Sequence, residues 1–190
     1  MNVYDFDKTI CRLDSSYRFY FYCLKRNPAI ALWWPVQAWG VFLLALRLRS
    51  KTRCKELFYR FFRSMGDTEA LARRFWQENE GLIQPWYLAR KQPEDVIVSA
   101  SPEFLLRPIC EKLGVGLIAS RVDPKTGLTS GENCHDAEKV RRFREAYPGV
   151  TPEGFWSDSL SDAPLAELAR ESWLVKGADI RPWEKERENP

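Results

Sequence analysis

Histidine is rare in this chain, and its cysteines do not occur in pairs. His135 is the single histidine, and the five cysteines are scattered without any Cys-x-x-Cys motif. This pattern suggests neither a zinc site nor a disulfide framework. Low-complexity tracts and internal repeats are also absent, which argues against a disordered or repeat protein. The first residues lack the basic, apolar and small-residue series of a secretion signal, so we expect a cytoplasmic protein with reduced thiols.

The residues that are present indicate a globular chain with an uneven distribution of charge. Of the 190 residues, 45% are hydrophobic and 29% are charged, which fits one domain with an insertion. Residues 12–91 hold fifteen Lys and Arg against six Asp and Glu, whereas the remainder holds fourteen against twenty. A basic segment favours an anionic partner such as a phosphorylated substrate or acidic lipid headgroups, but a solvated helix face explains it equally well. We expect no nucleic-acid partner.

Short apolar runs alternate with helical patterns over most of the chain. The predicted strands are residues 1–4, 95–98, 115–121, 154–157 and 173–176. The predicted helices are residues 102–113, ended by Gly114, and residues 136–147 and 163–170. Residues 123–127 have a turn sequence whose flanks could pair as a hairpin. The alternation predicts an α/β fold, with a Rossmann-like parallel sheet and crossover helices.

Residues 12–91 interrupt this alternation with helical patterns and no convincing strand, which predicts an inserted helical subdomain. Its sharpest feature is residues 29–46, a stretch with three tryptophans, no charged residue and basic residues on both sides. We favour two short helices, broken near Pro35, whose apolar faces pack on each other and on the core. The alternatives are contact with a membrane surface and a transmembrane span. The proline, glutamine and glycine in the middle of the stretch argue against a transmembrane span.

Polar residues suited to phosphoryl transfer occur in four separate loops that follow or adjoin predicted strands. Parallel strands end at the same edge of a sheet, where ligands bind, so these loops are expected to meet. Two carboxylates at i and i+2 can act as nucleophile and as general acid or base. Taken singly, each loop could be a surface turn, a solvated lysine or a helix cap. The residues are Asp5, Asp7 and Thr9 in the first loop, Ser99 in the second, Lys139 in the third, and Asp158 and Asp162 in the fourth.

Taken together and in this order, the loops resemble the four motifs of the haloacid dehalogenase-like hydrolase superfamily. The resemblance is to the small-cap branch that contains phosphoserine phosphatase. Residues 5–9 are similar to the first motif, residues 96–99 to the second, Lys139 to the third and residues 157–162 to the fourth. The resemblance implies a catalytic core at residues 1–11 and 88–190. It also implies a helical cap at residues 12–87, inserted after motif one.

The resemblance implies a role for each motif residue. Asp5 is the nucleophile that forms an aspartyl-phosphate, and Asp7 is the general acid and base. Mg²⁺ is held by the Asp5 carboxylate, the Asp7 backbone carbonyl and Asp158, and it offsets the repulsion between carboxylate and phosphate. Ser99 and Lys139 hold the oxygens of the phosphoryl group that is transferred, and Thr9 braces the first loop. Asp162 acts through a metal-bound water or by orienting Lys139.

Two departures from the family pattern bear on the substrate. Lys8 stands where the first motif often has glycine, and residues 100–102 replace the glycine pair that phosphoserine phosphatases place after the motif-two serine. Free phosphoserine is therefore a questionable substrate. The apolar, Trp-rich cap is also similar to that of bacterial phosphatidylglycerophosphate phosphatases of the same branch. Candidate substrate contacts in the cap are Asp14, which fits a helix N-cap equally well, and Tyr17, Arg18, Arg53 and Lys55.

We therefore predict a Mg²⁺-dependent phosphomonoester phosphatase. A small soluble metabolite is the favoured substrate, and an anionic phospholipid such as phosphatidylglycerophosphate is the alternative, with the enzyme at the inner face of a membrane. A protein that only binds partners through its basic cap is the non-enzymatic alternative. His135 is expected to be structural or peripheral, because Asp7 already supplies an acid and base.

Overall fold

The computed structural model describes residues 1–183 and contains one six-stranded sheet. The strand order is β3-β2-β1-β4-β5-β6, and every pair from β3 to β5 is parallel. The predicted α/β fold with a Rossmann-like parallel sheet is thus confirmed. The strands are β1 (Asn2–Tyr4), β2 (Val96–Pro102), β3 (Gly116–Ser120), β4 (Gly154–Ser157), β5 (Glu171–Lys176) and β6 (Asp179–Pro182).

Three details of the strands differ from the sequence prediction. β2 continues past its apolar run to Pro102, with a register shift after Ser99. The hairpin around residues 123–127 is reduced to a single antiparallel bridge between Val122 and Thr129. The antiparallel strand β6 was not predicted, because it is a short and mostly exposed edge strand without an apolar run.

Helices connect the parallel strands and also fill the segment between β1 and β2. Gly114 ends α6 in the left-handed region, at φ 70°, as the sequence predicts for a helix stop. The α-helices are α1 (Ser15–Arg26), α2 (Trp34–Ala45), α3 (Lys51–Tyr59), α4 (Thr68–Asn79), α5 (Pro85–Leu88), α6 (Glu103–Leu113), α7 (Ala137–Ala146) and α8 (Ala163–Leu168). The 3₁₀ helices are Pro28–Trp33, Arg60–Ser64, Glu80–Leu82 and Leu160–Asp162.

The sheet is buried on both faces, as its apolar strands require. Successive residues of a strand point to opposite faces, and β1 accordingly divides its side chains between two apolar clusters. Val3 packs with Val98 and Phe155 on one face, whereas Tyr4 packs on the other face against Trp156. The central strands are therefore fixed by packing on two sides, and the loops at their carboxyl ends start from a rigid base.

The segment between β1 and β2 contributes to the larger of these clusters. Phe19 of α1 and Phe75 of α4 are almost completely buried in the same cluster as Leu105 of α6. Trp76 adds a hydrogen bond from its indole nitrogen to the Leu105 carbonyl oxygen, at 2.7 Å. The helical segment thus packs on α6 and shares an apolar cluster with Tyr4 and Ile97 of the sheet. Its division from the core at residues 12 and 87 stays a prediction.

Residues 29–46 agree only in part with the favoured prediction. The helix type changes at Trp33 and Trp34, next to Pro35, so the stretch is broken where expected. The expected burial of its apolar faces is wrong, because Ile30 and Gly40 are the buried residues of Pro28–Ala45. Within the described part of the chain, Pro28–Ala45 is the one helical stretch long and apolar enough to cross a membrane by length and composition.

Candidate active site

Asp5 follows β1 directly and lies at the carboxyl edge of the sheet. Its backbone N–H donates to the Trp156 carbonyl oxygen at 2.8 Å, which ties the residue to β4. The side chain is 10% exposed. Its Oδ1 accepts a hydrogen bond from Lys139 Nζ at 2.6 Å, and its Oδ2 accepts a longer one from Thr9 Oγ1 at 3.3 Å. The carboxylate is thus held in place by Thr9 of its own loop and by Lys139 of the third loop.

Lys139 lies in the first turn of α7 and forms a buried ion-pair network. Its ammonium contacts Asp5 at 2.6 Å and Asp162 at 2.7 Å, and Ser157 Oγ donates to the same Asp162 carboxylate at 2.6 Å. Burial alone would lower the pKa of Lys139, but the two carboxylates outweigh it and hold that pKa above its ordinary value. The ammonium therefore keeps its charge at the centre of the site.

The pKa of Asp5 is raised to about 7 even though the carboxylate is paired with Lys139. Burial is the main cause, and the neighbouring carboxylates of Asp162 and Asp7 add to it. Two carboxylates share one ammonium, so the negative charge of this cluster is incompletely compensated. The site favours binding of a cation or a proton beside Asp5.

Asp7 is held by the start of α1 and by the last residues of β2. Its Oδ1 accepts from the Ser15 N–H at 2.6 Å, and its Oδ2 accepts from Ser101 Oγ at 2.5 Å. Burial is the main cause that raises its pKa, followed by the nearby charge of Asp14. A carboxyl group with a raised pKa in a fixed position is suited to proton transfer.

The loop after Asp5 turns sharply at Lys8 and then joins the fourth loop. Lys8 adopts φ 58°, in the left-handed region that favours glycine. Thr9 follows, fully buried, and its Oγ1 accepts from the Asp158 N–H at 2.9 Å. The Asp158 carboxylate itself has no hydrogen-bond or ion-pair partner among residues 1–183. Thr9 thus links the loops that carry the predicted metal ligands.

One cavity of about 460 Å³ contains all of the predicted core residues except Thr9. Ser99 lines it and is 1% exposed, and its Oγ accepts from the Ser101 N–H at 3.1 Å, so its own proton is available for a ligand. The residues that the sequence predicts and the cavity brings together are Asp5, Asp7, Ser99, Lys139, Asp158 and Asp162.

The predicted cap contacts divide into two groups. Asp14 and Tyr17 line the cavity, and Asp14 also caps α1 by accepting from the Tyr17 N–H at 3.0 Å. Lys55 lines it too. Arg18 and Arg53 lie outside the lining, because Arg18 is exposed on α1 and Arg53 pairs with Glu56 at 2.8 Å.

Lys55 connects the predicted cap to the end of β2 and to Asn133. Its ammonium donates to the Ala100 carbonyl oxygen at 2.9 Å and to Asn133 Oδ1 at 3.0 Å. Burial lowers the pKa of this lysine, and no carboxylate of residues 1–183 lies within ion-pair distance of it. Lys55 therefore brings a positive charge into the cavity without a direct counter-ion.

Sequence reasoning missed the contacts of Ser101 and Asn133, and it named His135 only as structural or peripheral, although His135 also lines the cavity. Ser101 holds Asp7, Asn133 holds Lys55, and His135 lies beside Ser161 Oγ at 3.3 Å. Ser101 lies near the end of β2, but nothing in the sequence places its hydroxyl on Asp7. Burial lowers the pKa of His135, so its ring favours the neutral form.

A family model provides the first comparison with known proteins. The model of the haloacid dehalogenase-like hydrolases matches residues 3–167, which is most of the chain. The chain belongs to the haloacid dehalogenase-like hydrolase family. A sequence search of curated proteins returned no match.

Solved structures support this family at the level of the fold. A protein of unknown function from Bordetella pertussis Tohama I is similar, with 21% identity, a TM-score of 0.71, and coverage of 90% of this chain and 87% of its own. A phosphoserine phosphohydrolase-like protein from Francisella tularensis SCHU S4 has 16% identity, a TM-score of 0.56, and coverage of 90% and 86%. A haloacid dehalogenase family hydrolase from Salmonella enterica serovar Typhi has 12% identity and a TM-score of 0.51, and it covers 88% of this chain and 59% of its own.

The donor set of this hydrolase fits the Mg²⁺ that its family generally uses. The described residues contain no group of three or more His, Cys, Asp and Glu side chains placed to hold a metal. The predicted set needs only two such side chains, Asp5 and Asp158, together with the Asp7 carbonyl oxygen. Mg²⁺ is usually bound by one or two carboxylates, with waters and substrate phosphate completing its shell. Burial raises the pKa of Asp158, so an added cation would favour its ionised form.

Proposed function

We propose that this hydrolase is a Mg²⁺-dependent phosphomonoester phosphatase that works through an aspartyl-phosphate on Asp5. The observation that carries the proposal is the Asp5 carboxylate, buried at the sheet edge between Lys139 and Thr9. A carboxylate in this position can attack phosphorus, while a fixed ammonium offsets the charge of the phosphoryl oxygens.

Each proposed step uses a side chain that the cavity already positions. One carboxylate oxygen of Asp5 attacks phosphorus, and the leaving ester oxygen takes a proton from Asp7. Asp7 then removes a proton from the water that hydrolyses the aspartyl-phosphate, which releases inorganic phosphate and restores both residues. Ser99 and Lys139 hold the oxygens of the transferring group, and Asp162 orients Lys139 through their 2.7 Å ion pair.

The proposed ligands of Mg²⁺ are the Asp5 carboxylate, the Asp7 backbone carbonyl and the Asp158 carboxylate. When bound, the ion supplies positive charge that reduces the repulsion between Asp5 and an anionic phosphate. Thr9 keeps the first and fourth loops together through its hydrogen bonds with Asp5 and Asp158.

Two substrate classes follow from the cavity. The sequence favoured a small soluble metabolite because residues 29–46 were expected to pack inside, and their exposure removes that support. A second candidate is the phosphomonoester of an anionic phospholipid. It is favoured by the rim, where Tyr17, Val41 and Leu44 line the cavity and still remain exposed. The phosphate group would lie beside Asp5, Asp7, Asp158 and Asp162, which we call the acidic floor of the cavity. The apolar part of the lipid would lie along α2.

The experiment that tests the phosphatase proposal is a phosphate-release screen. Purified protein is assayed with soluble phosphomonoesters and with phosphatidylglycerophosphate in detergent micelles, in Mg²⁺ and in EDTA. We expect release that requires Mg²⁺ and is lost in Asp5→Asn. Absence of release from every substrate would favour the non-enzymatic alternative, in which the basic cap only binds partners.

Metal removal should also change how stability depends on pH. Burial raises the pKa of Asp5 to about 7 and raises those of Asp7 and Asp158. A carboxyl group whose pKa is higher in the folded state than in the unfolded state stabilises the fold when it is protonated. This contribution is fully present below the ordinary carboxyl pKa, near 4, and is lost as the pH rises through about 7. In EDTA, the melting temperature should therefore fall between about pH 5.5 and pH 8. Differential scanning fluorimetry measures this.

Two comparisons separate this effect from general pH sensitivity. The fall should be smaller in Asp5→Asn, which cannot titrate at that position. Mg²⁺ should raise the melting temperature at about pH 8, because it binds the ionised carboxylates of the folded state. An identical pH profile in Asp5→Asn, or no effect of Mg²⁺ at any pH, would contradict this prediction.

A further inference from the structure

Helix α2 presents apolar side chains to solvent on most of its surface. Leu32, just before it, is 82% exposed, and Val41 within it is 68% exposed. A helix that is apolar on all sides is normally buried in a protein core or in a membrane. The exposed large apolar residues of this segment are Leu32, Trp34, Trp39, Val41, Phe42, Leu44, Leu46 and Leu48, which we call the α2 face.

The α2 face is part of a fixed structure. Gly40 packs against α3, where an added Cβ would lie 3.1 Å from the Leu57 Cβ. The Trp34 indole nitrogen donates to Tyr20 Oη at 2.7 Å, and Gln37 Nε2 donates to the Phe58 carbonyl oxygen at 3.1 Å. These contacts hold one side of α2 on the protein and direct the remaining sides outward.

The charge around the α2 face indicates what covers it. No Asp or Glu occurs between residues 15 and 55, whereas this span contains eight Lys and Arg. Among these, Lys25, Arg47, Arg49 and Lys51 are exposed and form no ion pair with residues 1–183. Exposed tryptophan and leucine beside unpaired basic side chains match an anionic membrane surface, which offers apolar tails beneath negative headgroups.

The geometry fits a helix that lies on a membrane better than one that spans it. The 18 residues Pro28–Ala45 would be long enough to span, but the helix type changes at Trp33 and Trp34. α2 by itself has 12 residues and is about 18 Å long, whereas the hydrocarbon core of a bilayer is about 30 Å thick. Val41 and Leu44 also line the catalytic cavity. A spanning helix would have to abandon the hydrogen bonds of Trp34 and Gln37 to α1 and to Phe58.

We propose that the α2 face is a docking surface for an anionic lipid bilayer. α2 lies parallel to the membrane plane, with its Trp, Phe and Leu side chains among the headgroups and the basic residues on the phosphates. In this position the cavity rim at Tyr17, Val41 and Leu44 faces the bilayer. The proposal goes beyond the phosphatase activity and does not require it, since docking uses no residue of the acidic floor.

Vesicle sedimentation tests the docking surface. Asp5→Asn protein is mixed with vesicles of phosphatidylcholine alone or with about one third phosphatidylglycerol, at low and at high salt. We expect binding to the anionic vesicles at low salt, at least tenfold weaker binding to phosphatidylcholine, and weaker binding at high salt. Because this variant lacks the proposed nucleophile, the result is independent of catalysis.

A surface variant and a matched control locate the contact. Trp39→Gln/Phe42→Gln/Leu46→Gln removes three large side chains of the α2 face that do not line the cavity. Leu88→Gln/Leu128→Gln/Val150→Gln removes three exposed apolar side chains elsewhere. We expect the first variant to lose at least tenfold in vesicle binding and the control to keep it, with both retaining the native circular dichroism spectrum. Both triple variants are also made with Asp5 intact, and their hydrolysis of a soluble phosphomonoester is measured. This second assay tests the phosphatase proposal separately.

Three outcomes would overturn the docking proposal. One is no binding to anionic vesicles at low salt, and another is equal loss of binding in both triple variants. The third is that the protein with an intact α2 face is a dimer by light scattering and does not bind vesicles, whereas the Trp39, Phe42 and Leu46 variant is a monomer. In that case a second copy of the chain would cover the α2 face.

Discussion

Asp5→Asn should lower the turnover number for phosphomonoester hydrolysis by about four orders of magnitude or more, the scale seen when a covalent nucleophile is removed. Asparagine is a poor nucleophile towards phosphorus and cannot form the aspartyl-phosphate. The substitution keeps the size of the side chain and leaves Lys139 paired with Asp162 at 2.7 Å. The loss should therefore appear in the turnover number without unfolding the protein.

Asp14→Asn is the matched control for this experiment. Asp14 lines the same cavity, and asparagine is as good a helix N-cap as aspartate. We expect the control to retain turnover within about tenfold, with any larger effect confined to KM. Asp5→Asn should melt at the wild-type temperature or above it in EDTA at about pH 8, because burial disfavours the charge that the substitution removes. Full activity in Asp5→Asn would refute the nucleophile assignment.

Lys139→Met should produce the largest loss of stability. The Lys139 side chain is 2% exposed, and its ammonium lies between the carboxylates of Asp5 and Asp162. Methionine fills a similar volume but leaves the two carboxylates buried without a cation. Removing one partner from a buried ion pair costs about 3 to 5 kcal/mol. Urea denaturation of metal-free protein at neutral pH measures this change in the free energy of unfolding.

A second substitution separates the charge effect from packing. Lys139→Met/Asp162→Asn removes one of the two uncompensated carboxylates and should regain more than about 1 kcal/mol of the lost stability. Turnover should stay low in both variants, because the phosphoryl oxygens have lost their cation. A loss of less than about 1 kcal/mol in Lys139→Met, or no recovery in the double variant, would show that the network does not stabilise the fold as described.

Much of the catalytic core was predictable because local sequence patterns determine it. Val3 and Tyr4 belong to an apolar run, and such runs become buried strands whose carboxyl ends meet at one edge. Asp5, Ser99 and Asp158 lie close to such ends, so their shared cavity follows from the order of strands. Gly114 ended a helix through its own backbone preference, which needs no tertiary contact.

The cap was less predictable because its contacts are not local. α2 is apolar on all sides, so its sequence does not distinguish a helix packed inside from one that faces outward. The contacts of Lys55 with Asn133, and of Asp7 with Ser101, join residues 78 and 94 positions apart. Sequence periodicity carries no information about contacts between residues so far apart in the chain. Arg53 was a reasonable candidate for substrate contact, but in the structure it forms an ion pair with Glu56.

Trapping the covalent intermediate tests the central claim most directly. Protein turning over a phosphomonoester in Mg²⁺ is treated with sodium borohydride, which reduces an aspartyl-phosphate to homoserine, and its peptides are analysed by mass spectrometry. We predict homoserine at position 5, dependent on substrate and Mg²⁺, and none at Asp7 or Asp158. Phosphate release without homoserine at position 5, or with homoserine at another aspartate, would contradict the account.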